Sequence, residues 1–222
     1  MPYLLLVLSY LIGSSPNSVI LGRLIKGIDV RQHGSKNPGA TNAIRVLGKP
    51  IGLTVFVLDV LKGGVVILLI RLGVFGDDSL LLPLILYGLA AVVGHIFPLF
   101  LRFKGGKAVA TGAGVFLFYA PLLGLLGGTI FVLTIKKTGY VSMASSLGAL
   151  SVLGMVLAVY FFGPTQSQWS FWIGTRWDHY LLLVTVLSIS FIIYRHKGNY
   201  QRIKTGTEPK TKWLYKDKVS SN

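Results

Sequence analysis

Long apolar runs alternate with short polar, glycine-rich segments along this chain. Tyr3–Ile25 is the first run, bent by Gly13-Ser14-Ser15-Pro16. Ile51–Ile70, Leu80–Leu101, Val141–Phe162 and Tyr180–Tyr194 follow. Most approach the ~20 apolar residues with which a helix crosses a bilayer. Val109–Ile135 is longer than one span and carries Ala120-Pro121 near its middle. Proline lacks an amide hydrogen and its ring clashes with the preceding turn. The stretch therefore predicts either one long helix or two short ones meeting at Pro121.

Charge decides between the two. With two short helices there are seven spans and the N-terminus lies outside. One face then carries 20 of the 22 Lys and Arg residues, leaving Arg71 and Arg176 on the other with Asp77, Asp78 and Asp178. Cytoplasmic loops are enriched in Lys and Arg, so the basic face is predicted to be cytoplasmic. One long helix would strand Lys136, Lys137 and the basic tail outside. Each short helix reaches only roughly 20 Å at 1.5 Å per residue, which predicts local thinning or shielding by neighbours. The first run is not read as a signal peptide, since no basic residue precedes it.

Composition gives the same class. Of 222 residues, 52% are hydrophobic and 13% charged, with mean hydropathy +0.66. A soluble domain of this size could not cover that much apolar surface. We expect an all-α polytopic protein: one membrane domain over 1–208 and a basic cytoplasmic tail over 209–222. The chain has no cysteine, which excludes disulfides and thiolate metal sites. A net charge of +15 would suggest a nucleic-acid partner in a soluble protein. Here the charges lie between membrane segments, and no nucleic acid is expected. Trp169, Trp172 and Trp177, with Phe171 and Tyr180, read as an interfacial aromatic belt.

The predicted orientation gathers every polar cluster on one face. Gly94-His95-Ile96-Phe97-Pro98 leads into Phe103-Lys104-Gly105-Gly106-Lys107, two lysines around two glycines between successive spans. Backbone N–H groups in such a turn can converge on an anion, and the next helix adds its positive end. The bland alternative is that both lysines anchor helix ends at the headgroups. The first inner loop holds Gly34, Ser35, Lys36, Asn37, Pro38, Gly39, Ala40, Thr41 and Asn42, then Arg45. It offers flexible backbone, neutral hydrogen-bonding groups and a guanidinium suited to phosphate. It also reads as an ordinary solvated turn.

Asp59 and Lys62 stand at i and i+3 on one helix face, where a structural ion pair is the simplest reading. Ser142 opens a span and either caps it or meets substrate. His196, Asn199 and Arg202 share one face if helical, with Glu208 nearby.

Several chemistries are absent. Gly106-Lys107 is followed by Ala108, so there is no Walker loop. The four histidines are scattered without partners at metal-ligand spacing, so no metal and no cofactor is expected. No His is followed five positions on by Asp, and Ser14 and Ser15 lack a nucleophile-elbow context. Anion-binding groups abound while acid–base groups are few, which points to a substrate activated beforehand. A phosphate transporter is the competing class, but it would place its polar groups near the midplane, often in repeated halves. No internal repeat is visible. A purely structural membrane protein would leave the glycine–lysine clusters without a purpose.

Taken together, these residues resemble the bacterial membrane glycerol-3-phosphate acyltransferases that use acyl-phosphate, the PlsY type. The resemblance rests on Gly13-Ser14-x-Pro16, the Gly34–Asn42 segment with Arg45, and Asp59-x-x-Lys62-Gly63. It rests also on Gly94-His95-x-Phe97-Pro98 with Phe103–Lys107, Gly139-Tyr140-x-Ser142, and Arg195-His196-x-x-Asn199-x-x-Arg202. Ala108 stands where the family usually has glycine, and Gly163–Asp178 and Lys210–Asn222 look like additions. The resemblance implies acyl transfer from acyl-phosphate to the 1-hydroxyl of sn-glycerol 3-phosphate, releasing phosphate, at the inner membrane and on its cytoplasmic face. The implied partners are both substrates and membrane lipids.

On this reading Lys104 and the N–H groups of Gly105 and Gly106 hold the acyl-phosphate. Ser35, Arg45, His196 and Asn199 hold glycerol 3-phosphate, with Ser142 between. These six side chains, Lys104 among them, form the expected catalytic set. Gly34, Asn37, Thr41, Asn42, Gly105, Gly106, Lys107, Arg202 and Glu208 form the expected phosphate-binding set.

Overall fold

A computed structural model describes residues 1–76, 81–165, 168–211 and 215. Asp77, Asp78, Leu80, Lys212, Lys216 and Lys218, which entered the expectations above, lie outside the described residues. Among those described, the regular structure is entirely helical. In chain order the helices are α1 (Pro2–Gly13), α2 (Asn17–Lys26), α3 (Ala40–Leu47), α4 (Lys49–Arg71), α5 (Leu84–Ile96) and α6 (Val109–Tyr119). They continue with α7 (Pro121–Thr138), α8 (Val141–Phe162), α9 (Ser170–Ile173), α10 (His179–Arg195) and α11 (Lys197–Lys204).

Local chemistry sets many of these boundaries. Pro121 occupies the first turn of α7, where its missing N–H costs nothing, so the long apolar stretch breaks into two helices there. Gly27 and Gly139 close α2 and α7 in the left-handed conformation. Asp178 caps α10 by accepting from the Leu181 amide at 2.8 Å. Helix α5 of the third run begins at Leu84, after Pro83.

Among the described residues, four segments are long and apolar enough to cross a membrane: α4, Leu84–Leu101, α7 and α8. The pairs α1–α2, bent by 43°, and α10–α11, bent by 46°, also qualify when each is taken as one broken span. The two halves of the Pro121 stretch are unequal. Helix α6 has only 11 residues, about 16 Å of rise, whereas α7 has 18.

The short helix is shielded. Its Val115 and Phe116 sit in a core built with Ile67 of α4, Ile85 and Val92 of α5, Leu123 of α7 and Val156 of α8. Helices α4 and α6 approach backbone to backbone: a Cβ on Gly63 would strike Thr111, and one on Gly114 would strike Val60. Close approach through small residues is how helices gain dispersion contact in lipid, where apolar burial supplies little drive. Large apolar side chains such as Leu24, Leu133 and Phe162 are exposed, as a lipid-facing surface requires.

The two ends of the bundle differ. One end gathers α3, the start of α4, the α5–α6 connection, the start of α8 and the α10–α11 junction around a cavity. At the other, Arg71 donates to the Phe118 and Tyr119 carbonyls at the end of α6, at 2.6 and 2.7 Å. Tyr119 Oη donates to Asp178 at 2.6 Å. Trp169, Phe171, Trp172, Trp177 and Tyr180 are all exposed at that end.

Candidate active site

The cavity has a volume of about 1690 Å³ and opens to the surface. Three helices begin on it: Ala40 and Thr41 of α3, Val109 and Ala110 of α6, and Val141 and Ser142 of α8 all line its wall. Helix N-termini present unpaired N–H groups and positive dipole ends. Among the described residues, the first-turn amides of Ala40, Thr41, Val109 and Ala110 make no backbone hydrogen bond. Such a cavity favours anions on backbone grounds alone.

Side chains reinforce this. Lys104, Ser35, Thr41 and Arg45 are exposed on the cavity, and Asn37 is half-buried there. Thr41 and Arg45, at i and i+4, share one face of α3. Neither Arg45 nor Lys104 has an acidic partner among the described residues. Arg31 also lines the cavity, but it is held by Asp29 at 2.6 Å. Arg31, beside it in hydrogen-bond contact, keeps the Asp29 carboxyl well below the usual carboxylate range.

A second set of predicted residues is occupied with one another. Glu208 is the hub. Its carboxylate accepts from Ser142 Oγ at 3.2 Å, Asn199 Nδ2 at 2.7 Å and Arg202 Nε at 2.8 Å. Asn199 accepts in turn from Lys107 Nζ at 2.5 Å. Glu208 and Arg202 were expected to contact phosphate. Instead the carboxylate, which would repel an anion, neutralises Arg202 and orders its neighbours. Ser142 neither caps α8, whose N-cap is Tyr140, nor has its hydroxyl proton free. Ser142 lies in the cavity wall, nearly buried, with that hydroxyl directed to Glu208.

Three further expectations are corrected. The N–H of Gly105 donates to the Ile96 carbonyl at 3.1 Å and that of Gly106 to the His95 carbonyl at 3.2 Å. These amides close the loop on the end of α5, so they are not open donors for an anion. Gly106 also lies off the main cavity, packed so tightly on His95 that a Cβ would strike its ring. The donors that do face the cavity belong to the first turn of α6. Asn42 is buried, with its amide bonded to the Val30 and His33 carbonyls and the Ser35 amide. It shapes the first loop rather than presenting to a ligand. Gly34, at φ +58, supports the same loop, since a Cβ there would strike Asn42.

His196 is buried at the junction of α10 and α11. Its Nδ1 lies 2.8 Å from the Ile192 carbonyl. A carbonyl only accepts, so Nδ1 carries a proton, and in the neutral ring Nε2 is an acceptor. That assignment follows from the partner. A neutral His196 then offers Nε2 as a hydrogen-bond acceptor and not as a donor.

Asp59 and Lys62 form the expected ion pair at 2.9 Å, buried, with Asn17 donating to Asp59 at 2.9 Å and Lys62 donating to the Ser15 carbonyl at 2.8 Å. The body continues past 208: Pro209 and Thr211 line the cavity, and the Thr211 amide donates to the Gly139 carbonyl at 2.8 Å. Lys210 lies over the Tyr140 ring. The boundary at 209 therefore cuts through packed structure. Ala108, buried against the loop, adopts φ +56.

A family model described as glycerol-3-phosphate acyltransferase matches residues 3–206. A glycerol-3-phosphate acyltransferase of Bacillus subtilis is 46% identical over 211 residues, covering 95% of this chain and 98% of its own. One from Listeria monocytogenes is 43% identical over 215 residues, covering 95% and 97%. Among solved structures, PlsY, an integral membrane glycerol 3-phosphate acyltransferase, is similar in its glycerol 3-phosphate form. That match has a TM-score of 0.78, 34% identity, and 94% of each chain covered. Its lysophosphatidic acid form gives 0.75.

Proposed function

The chain belongs to the glycerol-3-phosphate acyltransferase family, and we propose that its acyl donor is acyl-phosphate and its products are 1-acyl-glycerol 3-phosphate and inorganic phosphate. One observation carries this reading. A single cavity joins two separate cationic sets, the α3 loop with Arg45 and the Lys104 loop with the start of α6, which suits two phosphate-bearing substrates.

The glycerol 1-hydroxyl oxygen bonds to the acyl carbon while the bond from that carbon to the phosphate oxygen breaks. Phosphate departs with the electron pair, stabilised by Lys104 and the α6 amides. Ser35, Thr41 and Arg45 hold glycerol 3-phosphate, and His196 Nε2 accepts from a glycerol hydroxyl. The hydroxyl proton passes to a phosphate oxygen of one substrate. Positioning and charge compensation supply the rate, since a mixed anhydride already has a good leaving group. The orientation of the His196 ring supports a second reading, in which Nε2 itself takes that proton.

In the membrane the chain forms seven spans, counting α6 and α7 separately and each bent pair once. Its N-terminus lies outside and the cavity faces the cytoplasm, in line with the distribution of basic residues. The reaction is the first acylation of phospholipid synthesis, at the bacterial inner membrane. The deciding experiment is phosphate release by purified protein given acyl-phosphate and glycerol 3-phosphate. Release that depends on both substrates is expected. Uptake of glycerol 3-phosphate into sealed vesicles without acylation would overturn the proposal.

A further inference from the structure

The peptide unit joining Gly105 to Gly106 is flanked by two residues without side chains, so it is intrinsically the freest point of the loop that carries Lys104. It is held on both edges. Its N–H donates to the His95 carbonyl at 3.2 Å, and its carbonyl oxygen accepts from Arg195 Nη2 at 2.7 Å. Arg195 comes from the far end of the chain, 90 positions away, and is the last residue of α10. It has no acidic partner among the described residues. It also immediately precedes His196, the residue facing the acceptor.

We infer that Arg195 is a positioning residue that locks the Gly105–Gly106 peptide and thereby fixes Lys104 relative to His196; the inference rests on the two-substrate reading above. Two physical arguments support it. Gly105 and Arg195 both line the cavity, so an uncovered Gly105 oxygen would turn partial negative charge toward a bound phosphate. The guanidinium covers that oxygen with a charge-assisted hydrogen bond. In addition, consecutive residues of one helix end hold the donor loop and face the acceptor. The separation of the two substrates is then set by a single link, and a misplacement of about 1 Å can cost on the order of a hundredfold in rate.

The test uses the full-length protein in lipid nanodiscs, with Arg195→Gln and Arg195→Lys beside the parent. In Arg195→Gln, kcat should fall on the order of a hundredfold, while the KM for glycerol 3-phosphate stays within about threefold, as for an interaction felt only in the transition state. Amide exchange over residues 103–108 should rise, because the Gly106 N–H loses a fixed peptide plane. Arg195→Lys retains a cationic donor without the planar fork, and should recover part of both readouts. If Arg195→Gln does not fold, Arg195→Lys carries the same measurements with smaller changes in the same direction. Parental kcat in a folded variant overturns the inference. So does a rise in KM matching the fall in kcat, which would make Arg195 a substrate ligand. The exchange measurement needs no chemistry. A parent that releases no phosphate defeats the functional reading, whereas unchanged exchange in the variants defeats the positioning role by itself.

Discussion

Lys107 Nζ donates to Asn199 Oδ1 at 2.5 Å, linking the loop before α6 to α11 across 92 residues. Burial pushes the Lys107 ammonium down to about 8, with nearby Glu208 opposing the shift. Below that pH the side chain is cationic, and above it neutral. A substrate phosphate favours the cationic form. The apparent KM for the anionic substrates should therefore rise as pH passes upward through about 8, with kcat less affected. In Lys107→Arg, which stays charged throughout, the break should vanish. A parent profile flat from pH 7 to 9 would contradict this role.

Lys104 is exposed on the cavity, and the proposed mechanism assigns it to the departing phosphate. Lys104→Ala should slow turnover on the order of a hundredfold, the usual ~3 kcal/mol for one lost contact to developing charge. Lys26, exposed at the end of α2, serves as the control, and Lys26→Ala should change little. Comparable kcat in the two variants would remove Lys104 from the site.

Glutamine places an amide oxygen near the position of His196 Nε2, so His196→Gln can still accept from a hydroxyl but cannot take up a proton near neutral pH. Measurable activity with a raised glycerol 3-phosphate requirement and an unchanged pH–rate shape is expected. Inactivity at neutral pH with steep alkaline recovery would make His196 the base.

Ala108 occupies the left-handed region at φ +56, where a Cβ costs roughly 1–2 kcal/mol. Ala108→Gly relieves that strain but frees the unfolded chain, offsetting about 0.4–1 kcal/mol. A net gain between about zero and about 1.6 kcal/mol, seen as a higher melting temperature with activity kept, is expected. Ala108→Val should lower it clearly.

Because the sequence has no cysteine, single cysteines can map topology. Exposed positions Lys36, Lys137 and Lys204 should be shielded from an impermeant thiol reagent in intact cells, while Val74 and Gln168 react. Outside labelling at position 137 would refute the orientation.

The sequence by itself determined what depends on near neighbours. Apolar run length marked the membrane segments, and Pro121 split α6 from α7 because a proline cannot continue the ladder before it. The spacing of Asp59 and Lys62 specified their ion pair, since residues three apart in a helix share a face. The order of the motifs along alternating spans placed them at one end of the bundle. Partner choice was another matter. Nothing in Phe103–Lys107 says that the Gly105 and Gly106 amides bond back to Ile96 and His95, which depends on how the chain reverses after Pro98. Nor could spacing tell that Glu208 would gather Ser142 from 66 residues away, or that the α3, α6 and α8 N-termini would meet on one cavity. Those relations arise when separate helices pack, and packing alone decides which donors are engaged and which stay open to a ligand.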